Sequence, residues 1–159
     1  MKTVIDTSAL IALLYPDDDH NRRAAAALHE ASTDGATVIN DVVYTELAAD
    51  PYFGDAAALD GFLDDTGIGV ERPSCEASFT AGTAFETYLD RRGEKLQCPA
   101  CGEHTTVTCP ACGTRLAPRQ HVAADFVIGA HATEQADRLL TFDEGLFSSY
   151  FDVELLSVN

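Results

Sequence analysis

The stretch "KTVIDTSALIALLYP", residues 2–16, indicates the fold class most clearly. In it, one acidic residue joins a short β-type run to an apolar helical segment. The run from Lys2 to Ile5 favours a strand and ends at Asp6. The eight residues that follow Thr7 have the apolar density of a buried helix, which Pro16 stops. A strand, an acid and a buried helix in this order place the acid at the carboxyl end of a strand.

The rest of the chain repeats this alternation of strand and helix. Further strands are predicted at 36–40, 67–71, 138–142 and 152–158, and further helices at 17–31, 41–50, 55–66, 74–92, 121–136 and 143–147. The run Asp17 to Asp19 is expected to cap and begin the second helix. This pattern predicts an α/β fold of three layers, α/β/α, around a central parallel sheet of four to five strands.

Length and charge indicate how many domains the chain has and where in the cell it is expected. A chain of 159 residues suits one domain, which we place at 1–95 and 120–159 with an insertion at 96–119. No apolar run approaches the roughly 20 residues that cross a bilayer, and the first residues lack a secretory pattern, so no membrane contact and a cytoplasmic location are expected. The net charge of −16 with only two lysines is typical of halophilic proteins, although ordinary acidic solubility explains it equally well.

Four carboxylates lie at positions where a catalytic or metal-binding role is expected. Asp6 and Asp143 each follow a predicted strand, so both are expected at the same edge of the sheet. Glu46 and Asp125 lie on predicted helices with strongly apolar neighbours, where an acid is costly unless it is paired or bound to a cation. Taken singly, each could cap a helix or face water. Together they predict a site for a divalent cation.

These motifs resemble those of the PIN-domain nucleases, and among them the VapC-type toxins of toxin–antitoxin pairs. The resemblance rests on "VIDTSALIALLYPDD", "VVYTELAAD", "ADFVIGAHA" and "LLTFDEGLF", in the order of the family, and covers the chain apart from the insertion. It implies Asp6, Glu46, Asp125 and Asp143 as the catalytic, metal-binding acids, with Ser8 and Thr141 as polar neighbours. It also implies Mg²⁺ or Mn²⁺ as cofactor, RNA as substrate, an antitoxin partner and a homodimer.

The insertion contains "CPACGEHTTVTCPACG", two copies of one cysteine motif. Cys98, Cys101, Cys109 and Cys112 have the spacing of a closed tetrahedral Zn²⁺ site, and the motif resembles a small zinc ribbon. Because such a loop has almost no core, the bound metal is expected to hold it folded. The fifth cysteine, Cys75, is expected to be a buried and inert thiol.

Basic residues concentrate around these cysteines. Residues 91–121 hold five basic residues against two acidic ones, and the basic ones are candidates for RNA contact: Arg91, Arg92, Lys95, Arg115 and Arg119. The alternatives are that the ribbon fastens a long loop or forms a protein interface. Histidines 20 and 29 are expected at the surface, and His121 and His131 in packed or surface roles.

Three functions therefore remain open from the sequence. The first is a metal-dependent endoribonuclease that acts as the toxin of a toxin–antitoxin pair. The second is a nuclease of RNA processing, of the kind that matures ribosomal RNA. The third is a catalytically idle PIN scaffold whose ribbon binds RNA or protein.

Overall fold

A computed structural model of the chain describes residues 1–92, 95–98, 101, 103–116 and 123–156. The strands are β1 Lys2–Ile5, β2 Ala36–Ile39, β3 Ile68–Val70, β4 Leu96–Gln97, β5 His104–Thr105, β6 Val107–Thr108, β7 Arg115–Leu116, β8 Arg138–Leu140 and β9 Glu154–Leu156. The helices are α1 Thr7–Leu14, α2 Asn21–Asp34, α3 Asp41–Ala48, α4 Ala56–Thr66, α5 Cys75–Arg92, α6 Ala124–Gln135 and α7 Glu144–Tyr150. No described helix is long and apolar enough to cross a membrane.

Five strands form a parallel sheet in the order β3-β2-β1-β8-β9. Thr3 pairs with Thr37 of β2 and with Arg138 of β8, so the residues that follow these strands meet at one edge. Asp6 follows β1 and Thr141 follows β8, and the Asp6 amide donates to the Leu140 carbonyl at 2.9 Å. The carboxyl edge of the sheet therefore carries the predicted acid of the first strand.

Helices cover both faces of the central strands. Successive side chains of a strand point to opposite faces, and in β1 the three consecutive residues Thr3, Val4 and Ile5 are all buried. Residues of β8 are buried in the same way. The structure confirms the predicted α/β fold and its central parallel sheet, which has five strands.

The predicted cap at Asp17 to Asp19 is wrong. Helix α2 begins at Asn21, and no acidic residue lies in its first turn. The Asn21 side-chain amide donates to the carbonyls of Ala12 and Leu13, at 2.9 and 3.0 Å, so the end of α1 fixes where α2 starts. Asp18 instead closes a turn, because its Oδ1 accepts from the His20 amide at 2.7 Å.

The described part of the insertion forms two short antiparallel hairpins between α5 and α6. Strand β4 pairs with β5, and β6 pairs with β7. Each hairpin turn carries one copy of the cysteine motif. The prediction for Cys75 is wrong, because this residue begins α5 and is exposed.

Candidate active site

Asp6 is the centre of a hydrogen-bonded group at the carboxyl edge of the sheet. It sits at the N-cap of α1 but makes no capping bond, and it is 4% exposed. Its Oδ2 accepts from Ser8 Oγ at 2.5 Å and from Thr141 Oγ1 at 2.8 Å. These bonds fix one carboxylate oxygen by two hydroxyls from different elements, and they bring together Asp6 and both predicted polar neighbours.

The same hydroxyls also tie down the loop that carries Asp143. Ser8 Oγ accepts from the Phe142 amide at 3.1 Å, and Thr141 Oγ1 accepts from the Asp143 amide at 3.0 Å. Asp143 is exposed and lies at the N-cap of α7 without a capping bond from its side chain. The loop is thus held against Asp6 while the Asp143 carboxylate stays open to solvent.

Glu46 lies on α3, and its Oε2 accepts a hydrogen bond from Thr7 Oγ1. Thr7 immediately follows Asp6, so this bond fastens the second predicted acid to the junction that carries the first. No motif or spacing in the sequence singles out Thr7. Its only signal is its place beside Asp6.

Asp125 lies in the first turn of α6 and is partly buried. Burial, followed by the charges of Asp6, Glu46 and Asp143, raises the pKa of Asp125 to about 6. All four predicted acids therefore share one electrostatic environment. Each comes from a different element of the fold: the β1–α1 junction, α3, α6 and the β8–α7 loop.

None of the four acids takes part in an ion pair with lysine or arginine among those that the structure describes. These ion pairs join Lys2 to Glu71, Arg72 to Asp41, and Arg138 to Glu30 and Asp34. Nor do any three His, Cys, Asp or Glu side chains in the described ranges stand close enough to hold a metal ion as they are arranged. The donor set nevertheless fits a hard divalent cation, because carboxylate and hydroxyl oxygens are its preferred ligands. Burial and then the repulsion of the other acids raise the pKa of Asp125, and a bound cation would offset both costs of its charge.

The first cysteines of the two motifs make matching backbone hydrogen bonds. The Cys98 amide donates to the Glu103 carbonyl at 2.8 Å, and the Cys109 amide donates to the Thr114 carbonyl at 2.7 Å, with the same spacing along the chain. In the second turn Gly113 has φ +72°, a conformation that glycine adopts freely.

No three of the four cysteines, all of which are described, stand close enough to hold a metal ion as they are arranged. Hydrogen bonding with Thr114, and then with Cys109, lowers the pKa of the Cys112 thiol. Cys98 and Cys101 belong to the other hairpin turn, and no disulfide joins any of the five cysteines, all of which are described. Cys109 lies within hydrogen-bonding reach of Cys112, so the fold brings these two predicted ligands together.

Two of the predicted basic residues lie over aromatic rings. The Arg91 guanidinium lies 5.0 Å from the Tyr150 ring centroid, and that of Arg92 lies 4.8 Å from the Tyr88 centroid. Lys95 and Arg115 are exposed. Arg119 and His121 lie outside the described residues.

His20, His29 and His131 lie in the surface or packed positions that were expected for them. His20 and His29 are exposed, whereas His131 is fully buried in α6 with its Nε2 3.3 Å from Glu71 Oε1. Burial lowers the pKa of His131. The sequence did not reveal that His20 stacks on Phe142, directly before Asp143, at a centroid distance of 5.0 Å.

Comparison with known proteins reveals the fold at low sequence identity. No protein-family profile matches the chain, and no curated protein matches its sequence. The structure of VapBC-1 from nontypeable Haemophilus influenzae matches with a TM-score of 0.62 at 16% identity, over 99% of this chain and 98% of that one. VapBC2 from Rickettsia felis, solved bound to a DNA fragment from its promoter, matches with a TM-score of 0.59 at 18% identity, over 98% and 97%.

A third solved structure is VapC20 from Mycobacterium tuberculosis, described as a toxin that cleaves the sarcin–ricin loop. It matches with a TM-score of 0.53 at 15% identity, over 94% of this chain and 96% of that one. In all three, the match extends over nearly the whole of both chains. The fold of this chain is therefore the PIN-like α/β fold of the VapC toxins.

Proposed function

We propose that this chain is a metal-dependent endoribonuclease that acts as the toxin of a toxin–antitoxin pair. The observation that carries the proposal is that four carboxylates from four separate elements act on one another: after burial, the charges of the other three acids raise the pKa of Asp125. A fold gains no stability by holding like charges together, so such a cluster is typical of a catalytic centre.

The roles of the residues follow from their positions. Asp6, Asp125 and Asp143 would hold Mg²⁺ or Mn²⁺, and Glu46, fixed by Thr7, would bind or orient the attacking water. Ser8 and Thr141 would hold the Asp6 carboxylate in place through their hydroxyls. When bound, the cation lowers the pKa of water and offsets charge on the phosphodiester.

RNA as substrate, an antitoxin as partner and a homodimer are parts of the same proposal. They are supported by the likeness of the fold to VapBC proteins and to a toxin that cleaves the sarcin–ricin loop. The exposed Lys95 and Arg115 would contribute contacts to phosphate, as would Arg91, Arg92 and Arg119. The genomic neighbourhood tests the partner: a small DNA-binding protein encoded beside this chain is expected.

Cleavage of a mixed tRNA and rRNA pool tests the activity directly. The native protein is assayed with Mg²⁺ or Mn²⁺ at low and high KCl beside Asp6→Asn, Asp125→Asn and the control Asp65→Asn. Asp65 is exposed on α4 and is not among the charges that shift the pKa of Asp125. We expect discrete metal-dependent fragments from the native protein and the control, and at least about 100-fold slower cleavage by the two site variants.

Two results would contradict the proposal. Intact RNA under every metal and salt condition, from protein shown to be folded, would favour the idle scaffold. Unchanged cleavage by Asp6→Asn would mean that a contaminating nuclease produces the fragments.

We also propose that the insertion binds one structural Zn²⁺ through Cys98, Cys101, Cys109 and Cys112. The matching backbone hydrogen bonds of Cys98 and Cys109 support this, as does the lowered pKa of Cys112, because zinc binds the thiolate. Metal analysis is expected to find one zinc per chain, lost in Cys109→Ser and kept in Cys75→Ser, whose cysteine stands alone on α5. Zinc-free native protein purified without chelator would refute it.

A further inference from the structure

A stack of flat side chains lies beside the proposed active site and has no part in the roles assigned so far. The imidazole of His20 lies on the Phe142 ring with 5.0 Å between centroids and 18° between planes. The Arg23 guanidinium lies 5.4 Å from the same ring centroid, and its Nη1 lies 3.4 Å from His20 Nδ1. Two elements build the group: His20 and Arg23 belong to the start of α2, and Phe142 to the β8–α7 loop.

The stack is fastened to the carboxylates by the backbone. Phe142 directly precedes Asp143, and its amide donates to Ser8 Oγ at 3.1 Å. The same Ser8 hydroxyl donates to Asp6 Oδ2 at 2.5 Å. The aromatic surface is therefore held in a fixed position relative to two of the proposed metal ligands.

The stack is open to solvent. His20 is exposed, and Phe142 covers one face of its ring, so the imidazole adds flat surface at the rim of the site without closing it. The turn before it is closed by a hydrogen bond, in which Asp18 Oδ1 accepts from the His20 amide at 2.7 Å. Unpaired RNA bases stack on aromatic, histidine and arginine planes of this kind.

We propose that His20, Phe142 and Arg23 form a subsite that stacks an unpaired nucleobase of the RNA next to the carboxylates. The proposal rests on the proposed nuclease function and adds how the substrate is held. Stacking suits this chain because its net charge of −16 leaves little general attraction for phosphate. It also predicts that single-stranded RNA, whose bases can splay out, is preferred over a duplex.

The chain contains no tryptophan, so Phe142→Trp would introduce a single fluorescent reporter inside the stack. The variant is titrated with an eight-nucleotide oligoadenylate in Ca²⁺, and with an octamer of the same charge that carries abasic riboses. The matched control is Phe79→Trp, which replaces a phenylalanine that is 75% exposed on α5. We expect oligoadenylate to quench the fluorescence of Phe142→Trp, and neither the abasic octamer nor the control to show quenching.

A second measurement leaves Phe142 in place, in case its substitution disturbs the fold. Binding of labelled oligoadenylate to the otherwise native chain is followed by anisotropy for His20→Ala and for His29→Ala, an equally exposed histidine of α2. We expect about tenfold weaker binding for His20→Ala and no change for His29→Ala. Equal affinities of the two variants, equal quenching by both octamers or no binding at all would overturn the subsite.

The two proposals fail separately. If RNA is cleaved and the cleavage depends on Asp6, but His20→Ala binds oligoadenylate like His29→Ala, the nuclease stands and the stacking subsite falls. If oligoadenylate quenches Phe142→Trp and no RNA is cleaved under any metal condition, the subsite stands as a binding site of an idle scaffold.

Discussion

The two halves of helix α6 differ in the charges that surround them. In the first half, Asp125 faces three further carboxylates, and no described ion pair offsets them. In the second half, about 9 Å along the axis, His131 lies against Glu71. Glu71 also accepts from Lys2 Nζ at 2.7 Å and from Gln135 Nε2 at 3.0 Å.

The difference separates stability from function within one helix. The Glu71 network pairs its charges with partners, as a structural network must when it is partly buried. The carboxylate cluster instead holds like charges together, which lowers the stability of the fold. Such an arrangement is typical of residues retained for chemistry. Substitutions in the two halves should therefore change stability in opposite directions.

The largest effect is expected in the second half of α6. His131 is fully buried, so His131→Ala leaves a cavity in the core and should lower the free energy of unfolding by about 2–4 kcal/mol. The control is His29→Ala, the same substitution at an exposed position of α2, which should stay within about 0.5 kcal/mol. Urea unfolding measures both. Similar values for the two variants would mean that His131 does not support the core.

The opposite sign is expected in the first half. Asp125→Asn removes a partly buried charge from the repulsive cluster and should raise the free energy of unfolding by about 1–2 kcal/mol at pH 8 in EDTA. Asp65→Asn, on the exposed side of α4, should change it by less than about 0.5 kcal/mol. A loss of stability in Asp125→Asn would contradict the inferred repulsion between the carboxylates of the site.

The gain from Asp125→Asn should depend on pH in a defined window. The pKa of Asp125 is about 6 in the folded chain against a reference value of 3.8, so the folded state takes up the proton first as pH falls. Protonation removes the repulsion, so the advantage of the variant is full above about pH 6 and disappears towards pH 4. Denaturant unfolding of both proteins across this range measures the difference, and a gap that does not change with pH would refute the assignment.

His131 should show the opposite slope. Burial lowers its pKa below the ordinary 6.5, so the unfolded chain binds the proton first and the folded state loses stability as pH falls below about 6.5. This loss should be absent from His131→Ala. Comparing the pH slopes of the native chain, Asp125→Asn and His131→Ala therefore assigns each slope to one half of α6.

The sequence predicted those parts of the molecule that depend on local pattern. The strand and helix alternation followed from apolar periodicity, and the position of Asp6 followed from the rule that sites lie at the carboxyl ends of parallel strands. The start of α2 did not follow, because the Asn21 side chain sets it by bonding to the end of α1. The exposure of Cys75 depends on how α5 is oriented, which the sequence around Cys75 does not encode.

Contacts between distant residues were beyond the sequence for a similar reason. Thr7 and Glu46 are 39 positions apart, and Lys2 and Glu71 are 69 apart. Which hydroxyl meets which carboxylate depends on the packed positions of the helices and on side-chain rotamers, and no local pattern records either. The acids themselves could be found from position and neighbours, whereas the residues that hold them could not.

The smallest effect is expected from the charge of Glu71 itself. Lys2 and then His131 lower the pKa of Glu71, although burial opposes them, so its charge stabilises the fold above the reference value of 4.5 and less so as pH falls. The side chains of Lys2 and Glu71 are 34% and 31% exposed, and solvent screens a pair of that kind. Glu71→Gln should therefore lower the free energy of unfolding by only about 0.5–1 kcal/mol, and less at 1 M salt.

The control for Glu71 is a more exposed ion pair at the same end of β3. Arg72 Nε lies 3.3 Å from Asp41 Oδ2, and its side chain is 87% exposed, so Arg72→Gln should have almost no effect on unfolding. If Glu71→Gln were as harmless as Arg72→Gln, the second half of α6 would be stabilised by the packing of His131 alone. If it were as harmful as His131→Ala, the charge of Glu71 would be essential to the buried imidazole, and the contrast between the two halves would be one of electrostatics throughout.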